Sequence, residues 1–377
     1  MSRLFAPTML CAALLLVACA SRPEEGFLVP LGDTSSYSSG HSILVATTRQ
    51  RDARPGTYFN GERAAHLNYA EIEVGVPQSH VPGKIELAAK APGNPKTDFV
   101  VERAAYLESE NKFIDALNAE LSKRPAGSRK VLLFIHGYNT MFAEGLYRLT
   151  QVVHDSRAPG VPVLFTWASR GKVAQYVYDT NSATAARDDL DRTIRLIFAS
   201  HAEQVNILAH SMGNWVTVEA LRQIKISGRL PPMRKLGVVV LAAPDIDIDV
   251  FKSQMRSFGK PNKPFYIIVS KDDKALRASN FIAGGQSRLG ADENTAELAQ
   301  LGAIVVDMTD VKGNDSANHG KFAELAELGP QLPSVLAGGI GDASPAQAPG
   351  AVRGSLATIV TSPVRLLGGT VKVISNR

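Results

Sequence analysis

Cysteine is almost missing from this chain of 377 residues: Cys11 and Cys19 are the only two, and both lie near the N-terminus. Processing before Cys19, with acylation of its thiol, would leave a mature chain without a free thiol, and therefore without an internal disulfide, a cysteine metal site or a cysteine nucleophile. A strong excess of one charge is also lacking, because 41 Lys and Arg stand against 36 Asp and Glu, a net charge of +5. No basic cluster occurs, so we expect no nucleic-acid partner.

Long apolar runs are absent after the N-terminus, where no stretch reaches the roughly 18 residues of a membrane-spanning helix. Glycine-rich phosphate-binding motifs are missing from the strand–helix junctions, and no His-x-x-x-His or comparable cluster occurs. The sequence thus predicts no cofactor and no metal. Hydrophobic residues still make up 45% of the chain against 20% charged residues, so the protein can bury a substantial core.

The first 18 residues have the organisation of a secretory signal. Arg3 precedes an apolar run from Leu4 to Val17, and small residues lead up to Cys19. A cysteine at this position resembles the lipobox of bacterial lipoproteins, in which the thiol is lipidated and becomes the first residue of the mature chain. The resemblance implies a lipid anchor at Cys19 in the bacterial cell envelope, and Ala20 after it favours the outer membrane, facing the periplasm. An ordinary signal peptide is the alternative.

Composition divides the rest of the chain into three parts. Residues 19–40 are polar, which predicts a flexible tether that follows the lipidated cysteine. Residues 41–328 have the alternating pattern of a globular domain. Residues 329–377 begin as an Ala/Gly/Pro-rich linker and end as a moderately apolar tail with a basic edge. We expect this tail to be an amphipathic segment on the body or the membrane, or a loosely ordered extension.

Short apolar runs alternate with helical patterns in the globular domain. The runs that we expect to form strands are Ser42–Thr47, Ala70–Val76, Val131–Ile135, Val161–Trp167, Val205–Leu208, Gly237–Leu241, Phe265–Val269 and Ala303–Val306. Continuous apolar runs are typical of strands that are covered on both faces. The segments with helical periodicity are 143–153, 183–198, 215–226 and 295–301. This pattern predicts an α/β fold, with a mostly parallel, doubly wound sheet flanked by helices.

The sharpest local motif is Ala209-His210-Ser211-Met212-Gly213, between a predicted strand and a predicted helix. It resembles the nucleophile elbow G-x-S-x-G, with alanine in place of the first glycine. Small residues let neighbouring backbones approach in a tight strand-to-helix turn that lifts the serine hydroxyl above the sheet. The Met212 amide would lie at the helix N-terminus, where it can stabilise negative charge. Ser211 is therefore the candidate nucleophile.

Such a serine needs an oxyanion-hole donor earlier in the chain, and an acid and a histidine later. Upstream, His136-Gly137 ends a predicted strand and resembles the oxyanion loop of esterases and lipases. The resemblance implies that the amides of Tyr138 and Met212 hold the oxyanion. Seven of the eight histidines precede the serine, so His319 alone can be the base if the order is Ser-acid-His. It lies in a polar loop after the last predicted strand.

The acid should follow the predicted strand Phe265–Val269, where Asp272 and Asp273 come in succession. Either side chain could orient the imidazole and stabilise its charged form, and the spacing does not decide between them. Asp245 is a third candidate, because some hydrolases place the acid one strand earlier. A turn or a helix cap would explain Asp245 equally well.

With these elements in order, the chain resembles the α/β-hydrolases, and among them an uncharacterised family of bacterial esterase/lipase-like proteins that includes many lipoproteins. The resemblance covers about residues 42–322. The motifs outside the predicted triad that carry it are Ala46-Thr47-Thr48-Arg49, His136-Gly137-Tyr138-Asn139, Thr166-Trp167-Ala168-Ser169, Ala243-Pro244-Asp245, Asp273-Lys274-Ala275-Leu276 and Arg288-Leu289-Gly290. It implies that the acid is the aspartate before Lys-Ala-Leu, which is Asp273. The chain departs from the family at Ala168, where proline is usual, and at His319, which has no aromatic neighbour in sequence.

These features predict a serine hydrolase that cleaves carboxylic esters through an acyl-enzyme. Only about 18 residues, 247–264, are available for a lid, too few for a helical cap domain. An open site would favour an esterase of small or protruding acyl groups over a lidded triglyceride lipase, and the sequence does not choose between a small-molecule and a lipid ester as substrate. Residues 170–191 could form a wall with Tyr176, Tyr178 and Asp179 at its entrance, although helix packing explains them equally. The alternatives are a noncatalytic envelope lipoprotein that uses a hydrolase fold for binding, and an acyltransferase.

Overall fold

Strands alternate with helices along most of the chain. The computed structural model describes residues 22, 25–32, 37–157, 159–228, 233–259, 261–291, 295–325, 352–354, 357–366 and 369–376. The strands in this part of the chain are β1 (Tyr37–Asp52), β2 (Tyr58–Pro77), β3 (Val100–Leu107), β4 (Lys130–Ile135), β5 (Gly160–Thr166), β6 (Gln204–His210), β7 (Leu236–Ala242), β8 (Phe265–Val269), β9 (Ala303–Asp307), β10 (Val352–Gly354), β11 (Ala357–Leu366) and β12 (Gly369–Asn376).

These strands form one sheet in the order β10-β11-β12-β9-β8-β7-β6-β4-β5-β1-β2-β3. Strands β1 and β4 to β9 run parallel to one another. Strands β2 and β3 extend one side of the sheet antiparallel, and β12, β11 and β10 extend the other. The predicted mostly parallel α/β sheet is thus confirmed, and the carboxyl ends of its parallel strands meet at one edge.

Helices cover both faces of this sheet. In the described residues they are α1 (Glu110–Ser122), α2 (Phe142–Ser156), α3 (Tyr176–Ala185), α4 (Arg187–Ala199), α5 (Met212–Ile226), α6 (Ile248–Phe258), α7 (Lys274–Ile282) and α8 (Thr295–Gln300). One core cluster packs Phe113 of α1, Ile194 of α4 and Phe251 of α6 against the sheet. A second cluster packs Leu146 and Leu149 of α2. The helices therefore lie in two layers, as a doubly wound sheet requires.

The two cores explain why β4 has so few polar residues. Val131, Leu133 and Ile135 belong to one hydrophobic cluster, whereas Phe134 belongs to the other. Successive side chains of a strand point to opposite faces, so a strand covered on both sides needs apolar residues at nearly every position. This is the physical reason that the buried strands were visible as continuous apolar runs.

Two segments differ in detail from the sequence-based expectation. The predicted helix over 183–198 is divided between α3 and α4, with Ala186 between them. The segment 247–264, considered above as a lid, carries α6, whose residue Phe251 is fully buried. None of the helices in the described residues combines the length and hydropathy that are needed to cross a bilayer.

Both ends of the predicted domain are extended by ordered chain. Residues 25–32, expected in the tether, pack on the body: the Leu28 N–H donates to the Gly56 carbonyl at 2.9 Å, and Leu28 is buried. The C-terminal tail, expected as an amphipathic or loosely ordered extension, instead forms β10 to β12. Strand β12 pairs with β9, with Val371 and Val373 buried. An antiparallel partner for β9 is encoded about 60 residues later, which local sequence patterns do not reveal.

Candidate active site

Ser211 occupies a sharp turn between β6 and α5. Its backbone has a φ of 53° and a ψ of −125°, a conformation that residues other than glycine rarely adopt. The Ser211 N–H donates to the Ala242 carbonyl at 3.0 Å, and the Asn214 side chain donates to the carbonyls of both residues at 2.8 Å. These bonds hold the strained turn, and such strain is characteristic of functional sites. The structure therefore has the geometry of the predicted elbow.

Two glycines let the end of β4 approach this turn closely. A Cβ atom on Gly137 would lie 2.6 Å from the Cβ of Ser211. A Cβ atom on Gly213 would lie 2.3 Å from the carbonyl oxygen of His136. The chain after β4 thus passes directly beside the candidate nucleophile.

This approach brings the two predicted oxyanion donors to the same place. Met212 is the first residue of α5, and the first N–H groups of a helix have no acceptor within it. Tyr138 follows Gly137, and within the described part of the chain its N–H has no hydrogen-bond acceptor. Both amides are therefore available to a bound oxyanion, which is the chemistry that an oxyanion hole requires.

His319 and Asp273 are hydrogen-bonded to each other. The Nδ1–H of His319 donates to Oδ2 of Asp273 at 2.7 Å, and the Asp273 side chain is fully buried. The other carboxylate oxygen accepts the Leu276 N–H at 2.9 Å and caps the N-terminus of α7. Helix α7 therefore holds the Asp273 carboxylate in place, and the carboxylate fixes the tautomer of His319. The Nε2 atom of His319 is then left without a proton and can accept one.

The two other candidate acids have different partners. Asp272 accepts from the Lys321 ammonium at 2.7 Å and from the Asn318 amide at 2.8 Å, and so ties down the loop around His319. Asp245 accepts from the Ser279 hydroxyl at 2.6 Å and lies 3.2 Å from the Arg288 guanidinium. Neither carboxylate is hydrogen-bonded to His319 in the structure, so neither is the orienting acid in this geometry.

The His319 loop has two further supports that the sequence did not suggest. His210, beside the candidate nucleophile Ser211, donates from Nε2 to the His319 carbonyl at 3.2 Å, and the two ring centroids are 4.6 Å apart. Burial and the neighbouring His319 hold the pKa of His210 well below its usual range, so its ring stays neutral. Asp315 accepts the His319 N–H at 3.1 Å and the Gly320 N–H at 2.7 Å. These contacts place His319 next to the elbow.

A buried hydrogen-bond network lies beneath the turn that follows β4. Arg49, 1% exposed, donates to the carbonyls of Thr140 and Ser169, both at 2.7 Å. Asp179 accepts the Asn139 N–H at 3.1 Å and the Ser169 hydroxyl at 2.6 Å. Burial lowers the pKa of Arg49 to about 10, while Asp179 acts in the opposite direction, so the guanidinium stays charged. The network fixes the residues that follow Tyr138.

Asp179 therefore has a different place from the one predicted for it. It is fully buried under the loop and does not line an entrance. Tyr178 is also directed elsewhere, with the Arg170 guanidinium 3.6 Å from its ring centroid. Tyr176 does reach the site: its ring centroid is 5.1 Å from that of Tyr138, and its hydroxyl hydrogen-bonds Ser279 at 2.9 Å. The wall at the site thus consists of Tyr138 and Tyr176.

Comparison with known proteins places this arrangement in a class. The fold, a mostly parallel sheet with a strained serine between strand and helix, is that of an α/β-hydrolase. Residues 109–335, more than half of the chain, match the profile of the family "Alpha/beta hydrolase of unknown function (DUF900)". The chain belongs to this family. No curated protein shows a significant sequence match.

Two solved structures resemble it distantly. A protein from Lactobacillus plantarum WCFS1, provisionally assigned as a cell surface hydrolase, is 8% identical with a TM-score of 0.35, over 53% of this chain and 91% of that one. LpqC, a poly(3-hydroxybutyrate) depolymerase from Bordetella parapertussis, is 12% identical with a TM-score of 0.35, over 69% and 83%. The family match, and not these likenesses, carries the assignment.

Proposed function

We propose that the protein is a serine hydrolase that cleaves carboxylic esters, with Ser211 as nucleophile, His319 as base and Asp273 as orienting acid. The observation that carries the proposal is the His319–Asp273 hydrogen bond of 2.7 Å beside the strained serine turn. A buried carboxylate on Nδ1 is the arrangement that prepares Nε2 for proton transfer. The amides of Tyr138 and Met212 supply the oxyanion hole.

In this mechanism Nε2 of His319 takes the hydroxyl proton as Oγ of Ser211 attacks the ester carbonyl carbon. A C–O bond forms, and the carbonyl electrons move to the oxygen that the two amides stabilise. The tetrahedral intermediate then expels the alcohol, which receives the proton from His319. Water attacks the acyl-enzyme in the same way, with His319 removing its proton, and releases the acid and the free serine.

The test is covalent labelling of the full chain, purified in detergent, with a fluorophosphonate probe, which reports an activated serine without knowledge of the substrate. We expect labelling of the wild type and its loss in Ser211→Ala. Ser227→Ala is the matched control, because this exposed serine follows the far end of the same helix. Absence of labelling in a folded wild type would contradict the proposal and favour the noncatalytic, ligand-binding alternative.

A second assay separates hydrolysis from acyl transfer. Both reactions pass through the acyl-enzyme, so they differ only in whether water or an alcohol attacks it. Adding a primary alcohol to an ester hydrolysis assay should leave the free acid as the main product. A new ester as the dominant product would identify an acyltransferase.

We also propose that the protein is lipid-anchored through Cys19 in the bacterial outer membrane, facing the periplasm. Cys19 lies outside the described residues, so the proposal depends on the resemblance of the N-terminal sequence to a lipobox. Labelled palmitate supplied to growing cells should be incorporated into the wild type and not into Cys19→Ala. Incorporation into the variant would contradict the anchor.

The contacts of Arg22 support a lipid ester as substrate. Its guanidinium donates to the Asn139 side chain at 2.9 Å and to the Gly171 carbonyl at 3.1 Å, beside the oxyanion loop. Three residues span at most about 11 Å, so an anchored Cys19 would lie close to the mouth of the site. Val173 and Val177, 74% and 69% exposed, lie just beyond Gly171. Exposed apolar side chains next to a lipid anchor favour a mouth that faces the membrane.

This orientation predicts a difference between two substrates. Replacing both valines, Val173→Ser with Val177→Ser, should lower hydrolysis of esters in phospholipid vesicles at least tenfold and leave a short soluble ester unaffected. Val81→Ser is the control, since this valine is also exposed but lies at the other edge of the sheet. Equal losses on both substrates would show that the valines support the fold and not membrane contact.

A further inference from the structure

A cluster of imidazole and carboxylate groups lies far from the serine, at the edge of the sheet where the parallel strands begin. A cavity of about 830 Å³ opens there between the first residues of β1 and β5 and the last turn of α2. His41, His80, His154 and Asp155 line it. The candidate active site lies at the opposite, carboxyl edge, so this cluster is not part of it.

The side chains are close enough to share one ion. Ligand atoms of His80, His154 and Asp155 all lie within 4.8 Å of one another. His41 lies beside His154, with its Nε2 3.2 Å from Nδ1 of that ring, but is not one of the three groups that lie this close together.

A second layer of hydrogen bonds orients the prospective ligands. Nδ1 of His80 lies 2.8 Å from a carboxylate oxygen of Glu86, while its Nε2 lies 2.7 Å from Oδ1 of Asp155. The other oxygen of Asp155 accepts the Gly83 N–H at 2.8 Å. A histidine that donates one ring N–H to a carboxylate and directs its other nitrogen to the site is characteristic of metal centres.

We propose that His80, His154 and Asp155 bind a divalent transition-metal ion of the zinc type. A bound ion would replace the proton that Nε2 of His80 and Oδ1 of Asp155 share, with these two atoms among its ligands. Imidazole and carboxylate ligands in a tetrahedral set suit Zn²⁺.

The site would tie two distant parts of the chain together: the segment after β2 and the end of α2. His80 is more than 70 positions away from the adjacent pair His154 and Asp155, which is why no metal motif is visible in the sequence. Because an ion that binds only the folded state stabilises it, metal should raise the midpoint of thermal unfolding by a few degrees. The role is structural and independent of the proposed hydrolase chemistry.

The test is metal titration of the full chain, purified in detergent and stripped with a chelator. We expect one equivalent of Zn²⁺ to bind, and Co²⁺ in its place to give the visible absorption bands of a four-coordinate site. His80→Ala and His154→Ala should weaken binding at least 100-fold, and Glu86→Gln about 10- to 100-fold. His66→Ala, an exposed histidine elsewhere, is the matched control and should bind as the wild type does.

Three results would overturn the proposal: no stoichiometric binding by the wild type, the absorption of an octahedral cobalt ion only, or unchanged affinity in the variants. The first would leave His80 as a purely structural ion pair with Glu86 and Asp155. If the alanine variants fail to fold, His154→Gln decides the question, because glutamine retains a hydrogen-bonding group toward Ser39 but is a poor zinc ligand.

Discussion

Asp272 and Asp273 are neighbours in sequence but have different hydrogen-bond partners, and the difference between their roles can be measured. Asp273 joins the cap of α7 to His319, whereas Asp272 binds Lys321 and Asn318 in the loop. Asparagine keeps the shape of either side chain but removes its charge. Any difference between the two substitutions therefore reports the role of each carboxylate in the site.

We expect Asp273→Asn to lower the rate of ester hydrolysis by about 10³- to 10⁴-fold, because the imidazole loses its tautomer and its counter-charge. Asp272→Asn should lower the rate less than tenfold and reduce the free energy of unfolding by about 1–3 kcal/mol. Initial rates on a chromogenic ester, with thermal unfolding of both variants, check the pair. The opposite order of rates would assign the acid to Asp272.

His136 gives the structure a predictable sensitivity to acid. Its ring is stacked on Trp167 with centroids 5.0 Å apart, and burial, followed by the charge of Arg49, lowers its pKa to about 3. The unfolded chain binds this proton near pH 6.5, so between pH 6.5 and 3 the unfolded state holds more protons than the folded state. The contribution of His136 to stability therefore falls as the pH is lowered through this window.

The corresponding variant is His136→Gln. It should reduce the dependence of the unfolding free energy on pH by up to about 1.4 kcal/mol per pH unit below pH 6. Denaturant unfolding at a series of pH values measures the slope. Above pH 7.5 this histidine does not titrate. In that range the unfolding free energies of the wild type and His136→Gln should therefore depend on pH in the same way. Equal slopes in the acid range would show that the ring is protonated in the folded state.

At the scale of elements, the site depends on how closely α5 approaches the end of β4. The close contact depends on Gly213, because any side chain at this position would collide with the His136 carbonyl. The elbow could be predicted, because strand, serine, small residue and helix are adjacent in the chain. The network of Arg49 and Asp179 could not, since its members come from β1 and α3 and meet only in the folded sheet.

A matched pair of glycine substitutions tests this contact. Gly213→Ala should cost roughly 2–3 kcal/mol of stability and abolish labelling, because the new methyl group has no room. Gly145→Ala, in the interior of α2, places its Cβ 3.5 Å from the nearest atom and should be neutral or stabilising by up to about 1 kcal/mol. Thermal unfolding and probe labelling check both. A well-tolerated Gly213→Ala would mean that α5 is farther from β4 in solution.

At the scale of the whole molecule, one sheet extends from residue 37 to residue 376. The parallel strands were predictable because each is a local apolar run. The tail strands were not, because β12 is distant in sequence from its partner β9. Pairing between remote segments is decided by packing in the folded state, which a local pattern does not record.

Substitutions in β12 test whether the C-terminal strands of the sheet unfold together with the rest of the protein. Val373 is 1% exposed beside β9, whereas its neighbour Lys372 is exposed and pairs with Asp310. Val373→Ala should lower the unfolding free energy by about 2 kcal/mol, and Lys372→Ala by at most about 0.5 kcal/mol. Both should show one cooperative transition in calorimetry. A separate low-temperature transition would make the tail an independent unit.

Helix α2 has a consequence for communication across the molecule. It begins beside the turn that carries Tyr138 and ends at Ser156, next to His154 and Asp155. At a rise of about 1.5 Å per residue it spans roughly 22 Å. This single helix therefore reaches from the carboxyl ends of the parallel strands to their amino ends. Thermodynamic linkage requires that any effect of binding at one end of α2 on binding at the other end is mutual. If an ion at one end tightens the binding of an ester analogue at the other, the analogue tightens the binding of the ion by the same factor.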